Sequence, residues 1–211
     1  MAERVRICVF AKAPVPGSVK TRLIPALGAD AAATLAARLL GLTLAEALAS
    51  TADIVELTMA PAPDDPAWDG VTIPAAVARA DQGSGGLSER LERAAARSLA
   101  AGSAAVLIGT DCPGLTSARL DQAMAALQNS DAVLIPALDG GFVLLGLRRQ
   151  VPRLFDDVPW SSDAVAELTL RRLRAAGLAV WVGTPLRDID DPDDLADLPA
   201  VLGQNPHATY L

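Results

Sequence analysis

The sequence predicts an α/β protein, a single domain in which a mostly parallel, mixed sheet is covered on both faces by helices. Short apolar runs alternate with longer helix-patterned runs along all 211 residues, the order expected of strands joined by helical crossovers. Runs such as Ala104–Ile108 are apolar throughout, as strands buried on both faces are. One connection alone, Leu138-Asp139-Gly140-Gly141, has the composition of a hairpin turn, so the strand beginning near Phe142 is the antiparallel exception.

The elements follow in order. Val5–Phe10 is a buried strand, and Ala29–Ser50 is a long helix rich in alanine and leucine, both strong helix formers. Ile54–Ala60 is the second strand and Val71–Ala76 a weaker third. In Leu87–Ala101, Leu87, Leu91, Ala94 and Ala95 share one helical face, while Glu89, Arg90, Glu92, Arg93 and Arg97 supply polar positions. Ala104–Ile108 is the fourth strand and Ser117–Gln128 the next helix. Ala132–Ala137 and Phe142–Leu147 flank the hairpin turn. Asp163–Ala176 is helical, with Gly177 at its C-terminal cap; Leu178–Val182 is the last strand and Pro192–Leu202 a closing helix. No repeat or long linker divides the chain, so residues 1–211 are expected to form one domain.

Composition narrows the function. Hydrophobic residues make up 51% and charged residues 20%, with a net charge of −7 and no lysine- or arginine-rich run. Nucleic-acid backbone binding needs a basic footprint, so it is not expected. No apolar stretch is expected to cross a membrane, and the first residues lack signal-peptide character. Cys8 and Cys112 form no C-x-x-C pair, which suits a reduced, cytoplasmic setting. His207 is the sole histidine, so triads, dyads and histidine-rich zinc sites would all depend on that tail residue.

The segment Phe10–Leu23, FAKAPVPGSVKTRL, follows the first strand. It sets Lys12, Lys20 and Arg22 beside Gly17, Pro14 and Pro16 at a strand end, where α/β folds open their binding crevice. Cations and free backbone N–H groups there suit a polyphosphate; the alternative is a solvated basic turn. Gly17-Ser18-Val19-Lys20-Thr21 is not a P-loop, because Val19 stands where glycine must precede the lysine. No G-x-G-x-x-G follows the first strand either, which disfavours a nicotinamide enzyme.

Acidic residues gather at two other strand ends. Asp111, in Ile108-Gly109-Thr110-Asp111-Cys112-Pro113-Gly114, ends the fourth strand; it is either a ligand or a cap for the helix after Thr116. In Arg187-Asp188-Ile189-Asp190-Asp191-Pro192-Asp193-Asp194-Leu195, Asp191 precedes Pro192 as an N-cap, and Asp193 and Asp194 favour the helix dipole. Asp188 and Asp190 precede the helix and share one direction in an extended segment. With Asp111 they form a donor set for Mg²⁺ or Mn²⁺, which takes a few carboxylates and completes its shell with phosphate and water oxygens.

Asp81-Gln82-Gly83-Ser84-Gly85-Gly86-Leu87 is a glycine-rich lead into a helix. Gln82 carries both donor and acceptor for a nucleobase edge, or is a polar loop residue. Asp139, between apolar residues and two glycines, serves a turn or meets an acceptor's hydroxyl or amine. Trp160 is either an acceptor wall or a packed core residue, with Ser161 or Ser162 capping the next helix. Cys112 is structural, since its acidic neighbour disfavours the thiolate.

Together, FAKAPVPGSVKTRL, QGSGGLSERL, LIGTDCPGLT, IPALDGGFVLLGL, VPWSSDAV and DIDDPDDL resemble, in that order, the bacterial DUF2064 or glycosyltransferase A-like family of GT-A fold. That superfamily includes phospholactate guanylyltransferase and the molybdenum-cofactor nucleotidyltransferases. The resemblance implies a GT-A three-layer sandwich and a nucleoside triphosphate or nucleotide-sugar donor with a small-molecule acceptor. It implies that Lys12, Lys20 and Arg22, beside Gly17, meet phosphates and that the stretch from Gln82 through Gly83 to Gly86 meets the base. Asp111 and Asp190, with Asp188 near, would hold the metal, and Asp139 would face the acceptor. The turn Asp111-Cys112-Pro113 lacks the second carboxylate of the D-x-D pair usual in metal-dependent glycosyltransferases, and the first loop lacks the G-G-x-S-x-R-M form of sugar nucleotidyltransferases. Nucleotidyl transfer is favoured, with Lys20, Arg22, Asp111 and Asp139 as the catalytic set. Glycosyl transfer and a non-catalytic nucleotide-binding module are the alternatives, and a homodimer through an alanine- and leucine-rich helix face stays open.

Overall fold

The computed structural model describes residues 4–196 and Leu198. Seven strands form one sheet: β1 (Arg4–Lys12), β2 (Ile54–Ala60), β3 (Ala78–Asp81), β4 (Ser103–Ile108), β5 (Ala132–Pro136), β6 (Phe142–Leu147) and β7 (Val180–Val182). Their spatial order is β3-β2-β1-β4-β6-β5-β7. All neighbours are parallel except β6, which runs antiparallel to both β4 and β5, as the Asp139-Gly140-Gly141 turn predicts. The helices are α1 (Ile24–Leu27), α2 (Ala29–Ala49), α3 (Leu87–Ala100), α4 (Ser117–Leu127) and α5 (Val165–Ala175).

Side chains alternate across each strand, which splits the core into two layers. On one face Ile7, Val9, Val106 and Val133 meet Leu40 and Leu44 of α2 and Leu120 and Leu127 of α4. On the other, Cys8, Leu107, Leu134 and Leu145 meet Leu91 and Ala94 of α3 and Leu173 of α5. The result is the three-layer sandwich expected. Gly146 of β6 makes room for α4: a Cβ there would lie 2.5 Å from Val133 and 3.3 Å from Leu127.

Three expectations need correction. The third strand is not Val71–Ala76 but β3. Pro74 lacks an N–H for a ladder and its carbonyl closes a turn with Val77 N–H at 3.0 Å. Val71 and Ile73 owe their apolar character to packing on the core from a loop, whereas β3 is an exposed edge strand with no need of it. Secondly, α2 is long and apolar enough by composition to cross a membrane, with mean hydropathy 1.4, but half of that window is buried and its inward side packs on the sheet. Thirdly, the last helix is described only as a 3-10 turn, Pro192–Ala196; the remainder of the expected Pro192–Leu202 helix, and His207, lie outside the described residues apart from Leu198. Asp191 is the cap of that turn, as expected: it precedes Pro192 and its carbonyl accepts the Asp194 N–H at 3.0 Å. Asp194 accepts the N–H groups of Asp190 at 3.1 Å and Asp191 at 2.9 Å. Burial would raise the Asp194 carboxyl, but those N–H bonds and Arg187 outweigh it and hold it below the usual range.

Two buried acids fasten layers together. Glu46 of α2, 1% exposed, accepts the Ser117 N–H at 2.6 Å and so satisfies the first turn of α4. Glu56 of β2, 3% exposed, takes Arg6 Nη1 of β1 at 2.6 Å on one oxygen and Arg97 of α3 on the other. Burial would raise the Glu56 carboxyl; Arg97 and then Arg6 outweigh it and hold it below its ordinary value.

Candidate active site

At β1 the chain turns back: β2 and β3 extend the sheet to one side, and β4 lies on the other. The carboxyl ends of β1 and β4 therefore flank a topological switch point. A cleft of about 890 Å³ opens there. Loops from both sides of the sheet meet in it.

Lys20 is the centre of the arrangement. Its backbone takes the left-handed conformation, φ 47°, unusual for a residue with a side chain and typical of functional turns. Its Nζ lies 2.5 Å from Asp111 Oδ1 and 3.0 Å from Asp190 Oδ1, and also donates to the Ile189 carbonyl. Burial would lower the ammonium's pKa, but Asp111 and then Asp190 raise it above its ordinary value. Asp111 is enclosed by protein on its inner sides while 45% of its side-chain surface stays open to the cleft. That enclosure raises its pKa, Lys20 opposes the rise, and the net direction is upward.

The segment after β7 returns to this point for a defined reason. Leu138 N–H bonds Leu186 O at 2.9 Å and Ile189 N–H bonds Asp111 O at 2.8 Å, tying it to β5 and β4. Ile189 is buried, which leaves Asp188 and Asp190 on the cleft wall. Burial first, then Asp139 and Asp190, push Asp188 up to about 6. Asp111 need not cap α4, because Glu46 does so. Its carboxylate, paired with Lys20 through Oδ1, faces the cleft.

The other residues expected from sequence divide into two groups. Lys12 lines the cleft and, among the described residues, makes no hydrogen bond or ion pair. Arg22 also lines it, 56% exposed and 3.6 Å from Asp191. Gly17 shapes the loop at φ +82° without lining the cleft. Gln82, expected to read a base edge, is 6% exposed and already engaged. Its Nε2 donates to Ala11 O at 3.0 Å and Thr58 O at 2.9 Å, and its Oε1 accepts Arg90 Nη1 at 3.1 Å. Gln82 is thus a strut between β1 and β2 that presents Arg90. Arg90 is a cleft cation that sequence reading missed, since its place among the polar positions of α3 carries no signal beyond a solvated face. Its Nε also donates to Gly85 O at 2.9 Å, and Arg93 braces Gln82 O and Ser84 O. Gly83 leaves room for that brace: a Cβ would come within 2.6 Å of the Arg93 guanidinium. Gly86 precedes α3, whose N-terminus has no side-chain cap and opens onto the cleft.

Across the switch point, Asp139 Oδ1 accepts Gly141 N–H at 2.8 Å. Gly140, φ +94°, lets this turn dock on the chain before α5. A Cβ there would lie 2.2 Å from Asp163 Cα and O, and Gly140 O accepts Ala166 N–H at 2.8 Å. Gly140→Ala is therefore expected to displace the Asp139 turn and cost at least about 2 kcal/mol, read as a lower urea midpoint. Trp160 is half-buried: it packs on the core, one of the two alternatives expected, and it also lines the cleft. Its Nε1 donates to Ser88 Oγ at 2.9 Å, and its ring meets Phe142 edge-on with centroids 6.2 Å apart. Neither serine caps α5 closely, for Ala164 occupies the cap; Ser162 Oγ only approaches Ala164 N–H at 3.4 Å. Cys112 is buried, and burial pushes its thiol up to about 12, as a structural cysteine requires.

Among the described residues, no group of three or more His, Cys, Asp or Glu side chains converges as a ready-made metal cage. The donor chemistry still fits a hard cation. All available ligands are carboxylate oxygens, and the crowding that raises Asp188 is relieved by added positive charge.

Comparison with known proteins agrees with this architecture. No curated protein matches the chain. Among solved structures, a "putative nucleotide-diphospho-sugar transferase" of Desulfovibrio desulfuricans G20 is 30% identical, with TM-score 0.85, over 94% of this chain and 87% of that one. A manganese complex of Rv0371c from Mycobacterium tuberculosis H37Rv is 17% identical, with TM-score 0.54 over 97% of this chain and 100% of that one. CMP:2-keto-3-deoxy-manno-octonic acid synthetase complexed with CTP is 11% identical, with TM-score 0.59 over 95% and 99%. The last two share the fold alone. Residues 43–162 match the family described as "Uncharacterized protein conserved in bacteria (DUF2064)", and with that match, the fold and the quoted motifs in hand, the chain belongs to the DUF2064 family of nucleotide-diphospho-sugar-transferase-like fold.

Proposed function

We propose that the protein is a divalent-cation-dependent transferase with a nucleotide donor, and that it moves a nucleotidyl group from a nucleoside triphosphate to a small acceptor. The observation that carries this reading is the opposition, across the switch point, of Lys12, Lys20, Arg22 and Arg90 to Asp111 and Asp190. Cations on one wall bind the phosphate chain, and α3 directs its free N–H groups at the same space. Asp111 and Asp190, with Asp188 beside them, would hold Mg²⁺ or Mn²⁺. Such an ion supplies neutralisation of charge on phosphate oxygens. Lys20 holds the two carboxylates in place, and Gln82 fixes the direction of Arg90. Positioning and charge neutralisation are what phosphoryl chemistry requires of a protein.

Glycosyl transfer is the second reading, favoured by the likeness to the 30% identical nucleotide-diphospho-sugar-transferase-like protein of Desulfovibrio. It shares the fold and the cation but breaks a bond at the sugar carbon. The two separate in one experiment. The protein is incubated with each nucleoside triphosphate or nucleotide-sugar, with Mg²⁺ and a mixture of acceptors, and released pyrophosphate and nucleoside diphosphate are quantified. Pyrophosphate is the expected product. Nucleoside diphosphate from a nucleotide-sugar, with no pyrophosphate from any triphosphate, would sink the nucleotidyl reading.

A further inference from the structure

Charge divides the cleft along the line of the switch point. Every lysine and arginine that lines it, Lys12, Lys20, Arg22 and Arg90, comes from the β1–β3 side or from α3 where it meets Gln82. The opposite half is lined by Asp139, Asp163 and Asp188 around the rings of Phe142 and Trp160. Asp139, Asp163 and Asp188 bond no lysine or arginine among the described residues; Lys20 is engaged by Asp111 and Asp190, and Arg90 by Gln82 and the Gly85 carbonyl.

Resting on the transferase reading above, we infer that the acceptor is a hydroxyl compound without a phosphate group, of the polyol or carbohydrate class, bound between the Asp139 turn and Trp160. A phosphate ester between the Asp139 turn and Trp160 would face the Asp139 and Asp163 carboxylates with no lysine or arginine beside them among the described residues, the cation at Asp111 and Asp190 being taken up by the donor's phosphates, in a half-enclosed cleft where repulsion is weakly screened. A polyol meets complementary partners. Carboxylates accept hydroxyl protons, and aromatic surface covers the apolar C–H groups of a sugar ring. The aromatic surface is set in advance: Trp160 is pinned by Ser88, whose hydroxyl in turn donates to Phe155 O at 2.6 Å. In the transfer step the acceptor oxygen bonds to the α-phosphorus. The bond from that phosphorus to the bridging oxygen breaks, its electron pair leaves with pyrophosphate, and the hydroxyl proton passes to the Asp139 carboxylate. A phosphate nucleophile, already ionised, would have no use for that acidic wall.

The test uses matched pairs, glycerol with glycerol 3-phosphate and glucose with glucose 6-phosphate, extended to a panel of aldoses and polyols with their monophosphates. Binding is read from the Trp160 indole N–H signal in ¹⁵N NMR, assigned by its loss in Trp160→Phe, with and without Mg²⁺ and a non-hydrolysable triphosphate. The expected result is that neutral members shift the signal and bind at least about tenfold tighter than their phosphate esters, a preference that Asp163→Arg narrows or inverts. Equal or tighter binding of the esters in the unmodified protein overturns the inference, and so does the absence of any shift across the panel. Because binding is scored without turnover, a failed pyrophosphate assay with this preference intact would count against the donor reading alone.

Discussion

Asp111→Asn is expected to lower transfer by at least about 100-fold, the scale of losing one preorganised electrostatic partner of a transition state, while the fold survives. Asparagine keeps the shape of the side chain, and its loss of charge leaves Lys20 still held by Asp190 and the Ile189 carbonyl. Asp111 is a raised carboxylate at the floor of the cleft, so removing its charge relieves a desolvation cost. The ligand-free thermal midpoint should therefore stay level or rise. What should vanish is the Mg²⁺-dependent rise in midpoint that a bound triphosphate confers on the unmodified protein. Calorimetry with and without EDTA, paired with pyrophosphate release, checks both halves. Retained activity in this variant would remove Asp111 from the mechanism.

Glu56→Ala should produce the largest loss of stability of any single change considered. It leaves Arg6 and Arg97 facing one another without their shared carboxylate. Breaking a buried ion pair from one side costs about 3–5 kcal/mol, which in a domain of this size lowers the midpoint by roughly 10 °C. A urea titration reads the cost directly, and a variant within about 0.5 kcal/mol of the unmodified protein would show that the guanidinium groups find water instead. The same group sets a pH dependence. Its folded pKa lies below the ordinary 4.5, so its contribution is complete above that value and is lost as pH falls through the depressed one. Acid unfolding of the unmodified protein should accordingly show a component that Glu56→Gln lacks.

Much of the fold was legible because its strands are either continuously apolar or interrupted by one unmistakable turn. The Asp139-Gly140-Gly141 signal located the antiparallel β6, and Ala104–Ile108 could hardly be anything but a central strand. The third strand was missed because an edge strand lies outside the hydrophobic pattern: β3 is Ala-Arg-Ala-Asp, and the nearby apolar residues belong to a packed loop. At the site, the gathering of charged strand ends around one cleft was readable, since α/β folds open their crevice there. Partnerships were not. That Gln82 is a strut, that Arg90 is the group it presents, and that Glu46 relieves Asp111 of capping duty all depend on contacts between residues distant in sequence. Glu46 is the sharpest case, a buried acid in an alanine-leucine helix whose purpose lies 71 residues away.

The reversal of strand order at β1 also separates the two walls of the cleft along the gene. The cationic wall is encoded before residue 101, within β1 to α3, whereas the turn at Asp139, the Phe142–Trp160 pair and Asp188 all follow β4. Under the proposed reading, the donor's phosphate contacts and the acceptor's contacts are thus encoded on separate stretches, joined by Asp111 and Asp190. Recombination between relatives within the β4 segment would exchange one specificity and keep the other, a route to new pairings that needs no insertion and no change of topology.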